Sequence, residues 1–496
     1  MRKLIYILVL LLCGVSFGQK DVVAIEFNIK GNTDSICQLG YYRGKSMLVK
    51  DTIFLDGKGN AIYKNSEKLA EGIYFLYMKS GAYFDIVINN DQQFSMSTKD
   101  DDLVGNMVVK DNIENQVFYD FMQYNKGKAQ EMAPYRKEYD SIKGDSPKDS
   151  LRKLELREQM KPMSVAIDAK REQVITKYPD FFISKIFSSM KPIVVPEMLD
   201  IADDKKRQQA RAFYNQQHYF DNLDLSDARF IRTHPSVFYE KLEYFKENLM
   251  YPVPDSIVLS IDRLIAQTKG SEEMYKYLVV DFTRQYEKSK IMCMDKVKLH
   301  MYNKYFLNDS RTTWLDEPTR KKVEDLVEKM KYNQCGMKAP ELVVLDTTGN
   351  YIGLNQLKND YVAVYFWSAT CGHCKKTTPV LNEVYQRMKA KYDVEIFTIS
   401  IDDKSKEKIL KDYLNEHQFD WVIGWGDKSY NGFRSKYNVF STPTMYLLDA
   451  DRKIIAKDLN PDLLERIITN LEGDEYVEPV RAEEDEDCLL YTSDAA

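Results

Sequence analysis

Between Val22 and Val109 apolar residues recur at every second position in short runs, which is the pattern of strands with one buried face. Val22 to Ile29 alternates around Ala24, Glu26 and Asn28. Ile36 to Tyr42, Asp51 to Leu55, Ala61 to Tyr63, Ile73 to Met78 and Tyr83 to Ile88 follow. Turn chemistry separates them at Gly31-Asn32, at Asp56 to Asn60, at Ser80-Gly81 and at Asn89 to Asp91. Strands this short and this regularly spaced predict a β-sandwich over residues 19–110. We read it as a packing or spacer module rather than a partner-binding one.

The period then changes. Val117, Phe118, Phe121, Met122 and Tyr124 fall on one helical face, and residues 111–332 continue in that style. Helices are predicted at Leu151 to Met160, Val165 to Tyr178, Phe238 to Leu249, Ser256 to Gln267, Glu272 to Lys288 and Pro318 to Met330. Pro196, Pro235, Pro252 and Pro254 punctuate them. His218, His234 and His300 lack metal-ligand spacing and read as structural or exposed. The aromatic-rich stretches Tyr275 to Phe282 and Tyr302 to Phe306 read as helix–helix core.

Asn333 to Pro340 reads as a linker opening a third region, residues 333–473. Leu342 to Leu345 and Tyr351 to Leu354 flank a turn and predict a hairpin. Tyr361 to Trp367 is continuously apolar, as suits a strand covered on both faces. Cys371-Gly372-His373-Cys374 follows and opens a helix whose stripe is Val380, Leu381, Val384, Tyr385 and Met388. Beyond it come a second buried strand at Val394 to Ile401, a helix at Lys406 to His417, a strand at Met445 to Leu448 and another at Lys453 to Ala456. A last helix is capped by Asn460, starts at Pro461 and ends near Leu471. The predicted fold class is therefore multidomain: an N-terminal β-sandwich, a central all-α domain and a C-terminal α/β domain.

Length supports several cores, since 496 residues exceed what one core sustains. A net charge of −6 gives no footing for nucleic acid. At the start, Arg2-Lys3, the apolar Leu4 to Val15 and the small residues of Ser16-Phe17-Gly18 predict a signal peptide over residues 1–18. Export to the periplasm or cell envelope follows, with an N-terminal membrane tether as a variant. A lipoprotein tether through Cys13 is disfavoured by the bulky Leu12 before it. At the other end, an acidic tail occupies 474–487, and Cys488 to Ala496 reads as a translated sequencing adapter. An independently amplified gene that encodes those last residues would overturn that expectation.

Export bears on the cysteines, because disulfides persist in oxidising compartments. Seven cysteines this dispersed do not form a disulfide scaffold. Cys293 and Cys335 are read as free, because geometry and not sequence decides whether they bond. Cys371 and Cys374 read differently. A thiolate is the nucleophile of disulfide exchange, and a helix N-terminus stabilises it. Two intervening residues let the second sulfur fold back. Cys371 is the expected attacker, Cys374 the resolving thiol, and His373 a residue that stabilises the thiolate and raises the reduction potential. A zinc site lacks further ligands. A peroxidatic cysteine is the weaker alternative, since it needs no second cysteine so close and its upstream threonine and proline framing is absent.

Taken in order, Phe366-Trp367, the C-G-H-C motif, Pro379 and Thr442-Pro443 resemble the thioredoxin superfamily, and within it the exported TlpA/ResA-like thiol:disulfide interchange proteins. The resemblance covers about Lys338 to Leu471. It implies a thioredoxin-like fold, a cis bond before Pro443, and a client-binding surface at Trp367, Gly372, Thr442 and Pro443. The upstream regions resemble domains of unknown function found before such domains. Two positions depart from the family: Tyr365 and Thr377 stand where a buried Asp and a Glu assist the resolving thiol. Water or Glu383 is left to take that role. The resemblance implies a thiol:disulfide oxidoreductase that acts on protein thiol and disulfide clients, is recharged by an upstream redox partner, and needs no metal or organic cofactor. A binding or scaffold protein with an accessory redox pair is the alternative from another class.

Overall fold

The computed structural model describes residues 22–476 apart from 145 and 426–431. The expected signal peptide, Cys13, most of the acidic tail and the adapter-like segment lie outside the described residues. The chain packs as two compact units, one holding residues up to Tyr251 together with Ser260–Leu278, the other Pro252–Leu259 together with Val279 onward.

The first unit opens with eight strands: β1 (Val23–Lys30), β2 (Ile36–Arg43), β3 (Ser46–Phe54), β4 (Asn60–Asn65), β5 (Gly72–Met78), β6 (Tyr83–Ile88), β7 (Gln93–Lys99) and β8 (Val108–Lys110). They form two four-stranded sheets, β4-β1-β7-β8 and β3-β2-β5-β6. Ile25 and Phe27 from one sheet and Leu39, Leu76 and Ile86 from the other share a single buried core, so the predicted sandwich is present. Strand β7 escaped the sequence reading. Phe94, Met96 and Thr98 are buried, but only two of them are apolar, too few to mark a run.

Two long helices follow, α1 (Ile113–Ser141) and α2 (Pro147–Lys177), packed as a hairpin. α2 runs unbroken through Pro162, where a gap between two helices was predicted. One missing N–H is tolerated when the rest of the helix is supported by packing. Asn115 of α1 joins the hairpin to the sandwich. Its side chain accepts from Val87 N–H at 2.8 Å and donates to Val87 O at 2.7 Å, replacing a neighbouring strand at the edge of β6. Then come α3 (Phe182–Ser189), α4 (Asp204–His218), α5 (Tyr239–Tyr244), α6 (Pro254–Ala266), α7 (Glu272–Glu287), α8 (Asp295–His300) and α9 (Glu317–Met330). No residue of α4 is buried, so no apolar stripe announced it. The described residues contain no helix long and apolar enough to cross a membrane.

In the second unit Cys293 and Cys335 form a disulfide, contrary to the reading that left them free. Sequence spacing could not bring them together; the packing does. Beside them Lys457, on a strand of the C-terminal domain, pairs with Asp295. It also donates to Asn333 O at 3.1 Å. Gln334 donates to the same Asp295 carboxylate at 2.9 Å. Residues 333–340 are therefore not a free linker. Asn333 and Gln334 are buried, and Gly336 and Ala339 bond to the backbone of Ile454 and Arg452.

The remaining strands are β9 (Val343–Asp346), β10 (Tyr351–Gly353), β11 (Tyr361–Trp367), β12 (Val394–Ser400), β13 (Val422–Trp425), β14 (Thr444–Leu448) and β15 (Ile454–Lys457). They build one sheet in the order β10-β9-β13-β12-β11-β14-β15. β11 pairs in parallel with β12 and antiparallel with β14, which places it inside the sheet. Its residues alternate between two cores. Ala363, Tyr365 and Trp367 join α10 (Gly372–Lys389), α11 (Glu407–His417) and α13 (Pro461–Leu471) on one face. Val362, Val364 and Phe366 join α12 (Phe433–Lys436) on the other. Two buried faces explain the unbroken apolar run.

The disulfide closes a 42-residue separation, which in the chain-entropy account contributes about 4 kcal/mol. Replacing Cys293 and Cys335 together by Ser is expected to lower the unfolding free energy of the second unit by that order, read from its denaturant midpoint and slope. The redox pair should keep its spectrum of reactivity, which thiol titration of the folded variant checks.

Candidate active site

The buried strand β11 fixes the site from below. It ends at Trp367, the chain turns through Ser368-Ala369-Thr370, and Cys371 stands at the N-cap of α10. Cys371 N–H bonds to Ser368 O at 3.2 Å, and Lys375 N–H to Cys371 O at 3.1 Å, so the turn and first helical bond are both made. Cys371 is half-buried and Cys374 fully buried, and both are free thiols. Gly372 and His373 are exposed between them. A Cβ on Gly372 would meet open space, so packing does not demand glycine there.

Thr442-Pro443 closes the site from the side. The bond between them is cis, as expected from the resemblance. The Cys371 thiol donates to the Thr442 carbonyl at 3.4 Å. Phe440, two residues earlier, is 67% exposed, with the Lys329 ammonium 4.8 Å above its ring. The sequence reading passed over Phe440, because a single exposed aromatic has no periodic signature.

The two thiols sit in opposite electrostatic settings. Burial pushes Cys371 up, but the Cys374 and His373 backbone N–H groups, the Thr442 side chain and the Cys374 thiol outweigh it. The net effect is a Cys371 pKa below the ordinary thiol value. Burial dominates at Cys374, and the charge of Cys371 adds to it, so that thiol is pushed up to about 11. Behind Cys374 the Tyr365 hydroxyl meets Thr378 Oγ1 at 3.0 Å, both fully buried. Thr378 lies one helical turn beyond Cys374, on the same face.

A carboxylate the sequence did not single out holds the motif loop. Asp402 is 3% exposed and accepts from Ser368 Oγ at 2.6 Å, Ala369 N–H at 2.8 Å, Ser400 Oγ at 3.2 Å and Thr370 Oγ1 at 3.3 Å. Parallel pairing sets this up: Trp367 lies opposite Ser400, so Asp402 arrives level with Ala369. In the sequence Asp402-Asp403 reads as a solvated turn after a strand. Only the strand register turns one of the two inward.

Two expectations need correction. Trp367 is 1% exposed, its ring 5.5 Å from that of Tyr413, so it supports the site from the core and offers no surface to a client. Glu383 is exposed and nine residues beyond Cys374, about 13 Å along the helix. That distance removes it as the acceptor for the Cys374 proton.

Residues 359–454 match the family described as thioredoxin-like, and residues 166–333 a domain of unknown function, DUF5106. A thiol-disulfide oxidoreductase, ResA, of Bacillus cereus is 34% identical over 136 residues, 27% of this chain and 75% of that protein. This chain belongs to the thioredoxin-like thiol-disulfide oxidoreductases. Among solved structures, a thioredoxin-like protein from Bacteroides caccae covers 57% of the oxidoreductase and 99% of its own chain, at 19% identity and a TM-score of 0.41. The thioredoxin domain of a thiol-disulfide oxidoreductase from Bacteroides vulgatus covers 28% and 96%, at 30% identity and a TM-score of 0.25.

The split between the thiols predicts the pH course of alkylation. In the reduced oxidoreductase, Cys371 thiolate forms at a lower pH than an ordinary free thiol does. One equivalent of iodoacetamide should react there. Cys374 should stay unmodified until about pH 11. Mass spectrometry of the alkylated peptides across pH distinguishes this from two thiols that titrate together.

Proposed function

We propose that the protein exchanges electrons with protein dithiols and disulfides through Cys371 and Cys374. The observation that carries this reading is the half-buried Cys371 thiol at the start of α10, 3.4 Å from the carbonyl before cis-Pro443, with Cys374 buried behind it. In the reductive direction, Cys371 thiolate attacks a client disulfide. The client S–S bond breaks, a Cys371–client disulfide forms, and one client sulfur leaves as a thiol. Cys374 then attacks Cys371 Sγ and releases the second client thiol, which leaves the intramolecular disulfide. In the oxidative direction the same steps run backward from a client dithiol. Gly372, Thr442 and Pro443 border the attacking sulfur and form the surface a client chain would meet, with the exposed Phe440 beside it.

The compartment proposed is the periplasm or cell envelope. The N-terminal residue pattern supports export, and the Cys293–Cys335 disulfide suits an oxidising environment. An upstream redox partner would then restore the pair after each turnover, and an N-terminal membrane tether would keep the domain near it.

Cys374→Ser should trap the mixed disulfide. Expressed in its own host and isolated without reductant, that variant is expected to carry covalently attached protein that dithiothreitol releases. Cys371→Ser should carry none. Equal recovery from both variants would count against the reading.

His373, exposed in the first turn of α10, is expected to favour the reduced pair by stabilising the thiolate. Equilibration with glutathione should place the pair above about −270 mV, the thioredoxin value, and His373→Ala should lower it. A parent value at or below that figure removes the role assigned to His373.

A further inference from the structure

Cys374 must lose its proton to resolve a mixed disulfide, yet it lies at zero exposure in an apolar core. The polar groups that face this core are few. On β11 there is Tyr365, whose hydroxyl already meets Thr378 Oγ1 at 3.0 Å. On the motif loop the Ser368 backbone N–H, and beside cis-Pro443 the Thr442 side chain, reach toward Cys374. The buried carboxylate nearest in the chain, Asp402, is occupied by four donors. On α11 there is Tyr413. Its hydroxyl is buried and makes no well-formed hydrogen bond among the described residues; Thr378, already bonded to Tyr365, is the hydroxyl that acts on it. Tyr413 packs in the same core as Cys374 and Trp367, and the charge of a Cys374 thiolate acts on it directly. His417, with its ring 4.3 Å from that of Tyr413, and the exposed Glu416 flank it on the same helix.

A buried hydroxyl left unpaired is costly, and such groups are rare in folded proteins. We propose that the Tyr413 hydroxyl donates a hydrogen bond to the sulfur of Cys374 as it becomes a thiolate, so that this side chain assists resolution where no carboxylate reaches. The proposal rests on the reading of Cys374 as the resolving thiol. In the step assisted, the Cys374 S–H bond and the Cys371–client S–S bond break. The Cys371–Cys374 S–S bond forms, and the proton ends on the departing client sulfur. The Tyr413 proton stays on its oxygen throughout, because burial holds that hydroxyl above its ordinary pKa. A donor aimed at charge that develops only in the step lowers its barrier without strengthening the ground state. The Tyr365 hydroxyl, held by Thr378 Oγ1 at 3.0 Å, contributes less.

The full chain reduced and mixed with a dithiobis(nitrobenzoate) disulfide separates the two steps. Attack by Cys371 releases a first nitrothiobenzoate, and resolution by Cys374 releases a second. Tyr413→Phe keeps the ring and is expected to slow the second release about tenfold near neutral pH, the loss of one hydrogen bond to a charged sulfur. The pH midpoint of that release should rise by about one unit. The first release should keep its rate and pH profile, which also reports that the site is folded. Tyr365→Phe should slow the second release less than Tyr413→Phe does. A second release at the parent rate in Tyr413→Phe overturns the proposal, as does equal slowing of both releases. Absence of any second release in the parent chain overturns instead the resolving role of Cys374, a separate failure.

Discussion

The site depends on one constraint: two cysteines three residues apart must live in different dielectric surroundings. β11 imposes it. Because the strand is covered on both faces, the chain leaving it at Trp367 emerges directly at the sheet end, with no room for a gradual exit. The helix that begins there puts its first residue at the surface and its fourth against the core. Cys371 thus gains the unpaired N–H groups and dipole of a helix start, and at Cys374 burial outweighs the bonds from Ser368 and Thr442. The pair is polarised before any client arrives.

Asp402 and cis-Pro443 matter because they fix that polarity in position. The carboxylate draws Ser368, Ala369 and Thr370 into one geometry, and the Thr442 carbonyl lies beside the Cys371 sulfur. The same economy holds further out. The Cys293–Cys335 bond, the Lys457–Asp295 pair and the bonds from Gly336 to Ile454 and Ala339 to Arg452 tie residues 333–340 to the domain. A redox site held to tenths of an ångström needs such support, since its two sulfurs must meet at bonding distance in one oxidation state and part in the other.

Local chemistry made much of this legible. The run Tyr361 to Trp367, the cap at Asn460 with Pro461 after it, and the alternation of β1 depend on neighbours in sequence, and all three match the described elements. What stayed hidden depends on neighbours in space. Asp402 resembles its neighbour Asp403 until strand register turns it inward. Cys335 looks like part of a linker until packing brings Cys293 to it. Tyr413 reads as one more apolar position on an amphipathic helix, because a sequence records the ring and says nothing of where the hydroxyl lands. α4 and β7 were missed for a simpler reason: their polar residues carry no pattern strong enough to see.

The departures at Tyr365 and Thr377 acquire a meaning from this geometry. Replacing a buried carboxylate by a tyrosine removes a charge that would itself need compensation in an apolar core. It also removes a negative neighbour that would oppose a second negative charge on sulfur. The remaining groups behind Cys374 are neutral hydroxyls, which can donate to a thiolate and cannot repel it. The cost falls on proton removal, since a hydroxyl held above its ordinary pKa is a poor base. A site of this kind holds a half-buried thiol of lowered pKa in front of a buried thiol of raised pKa.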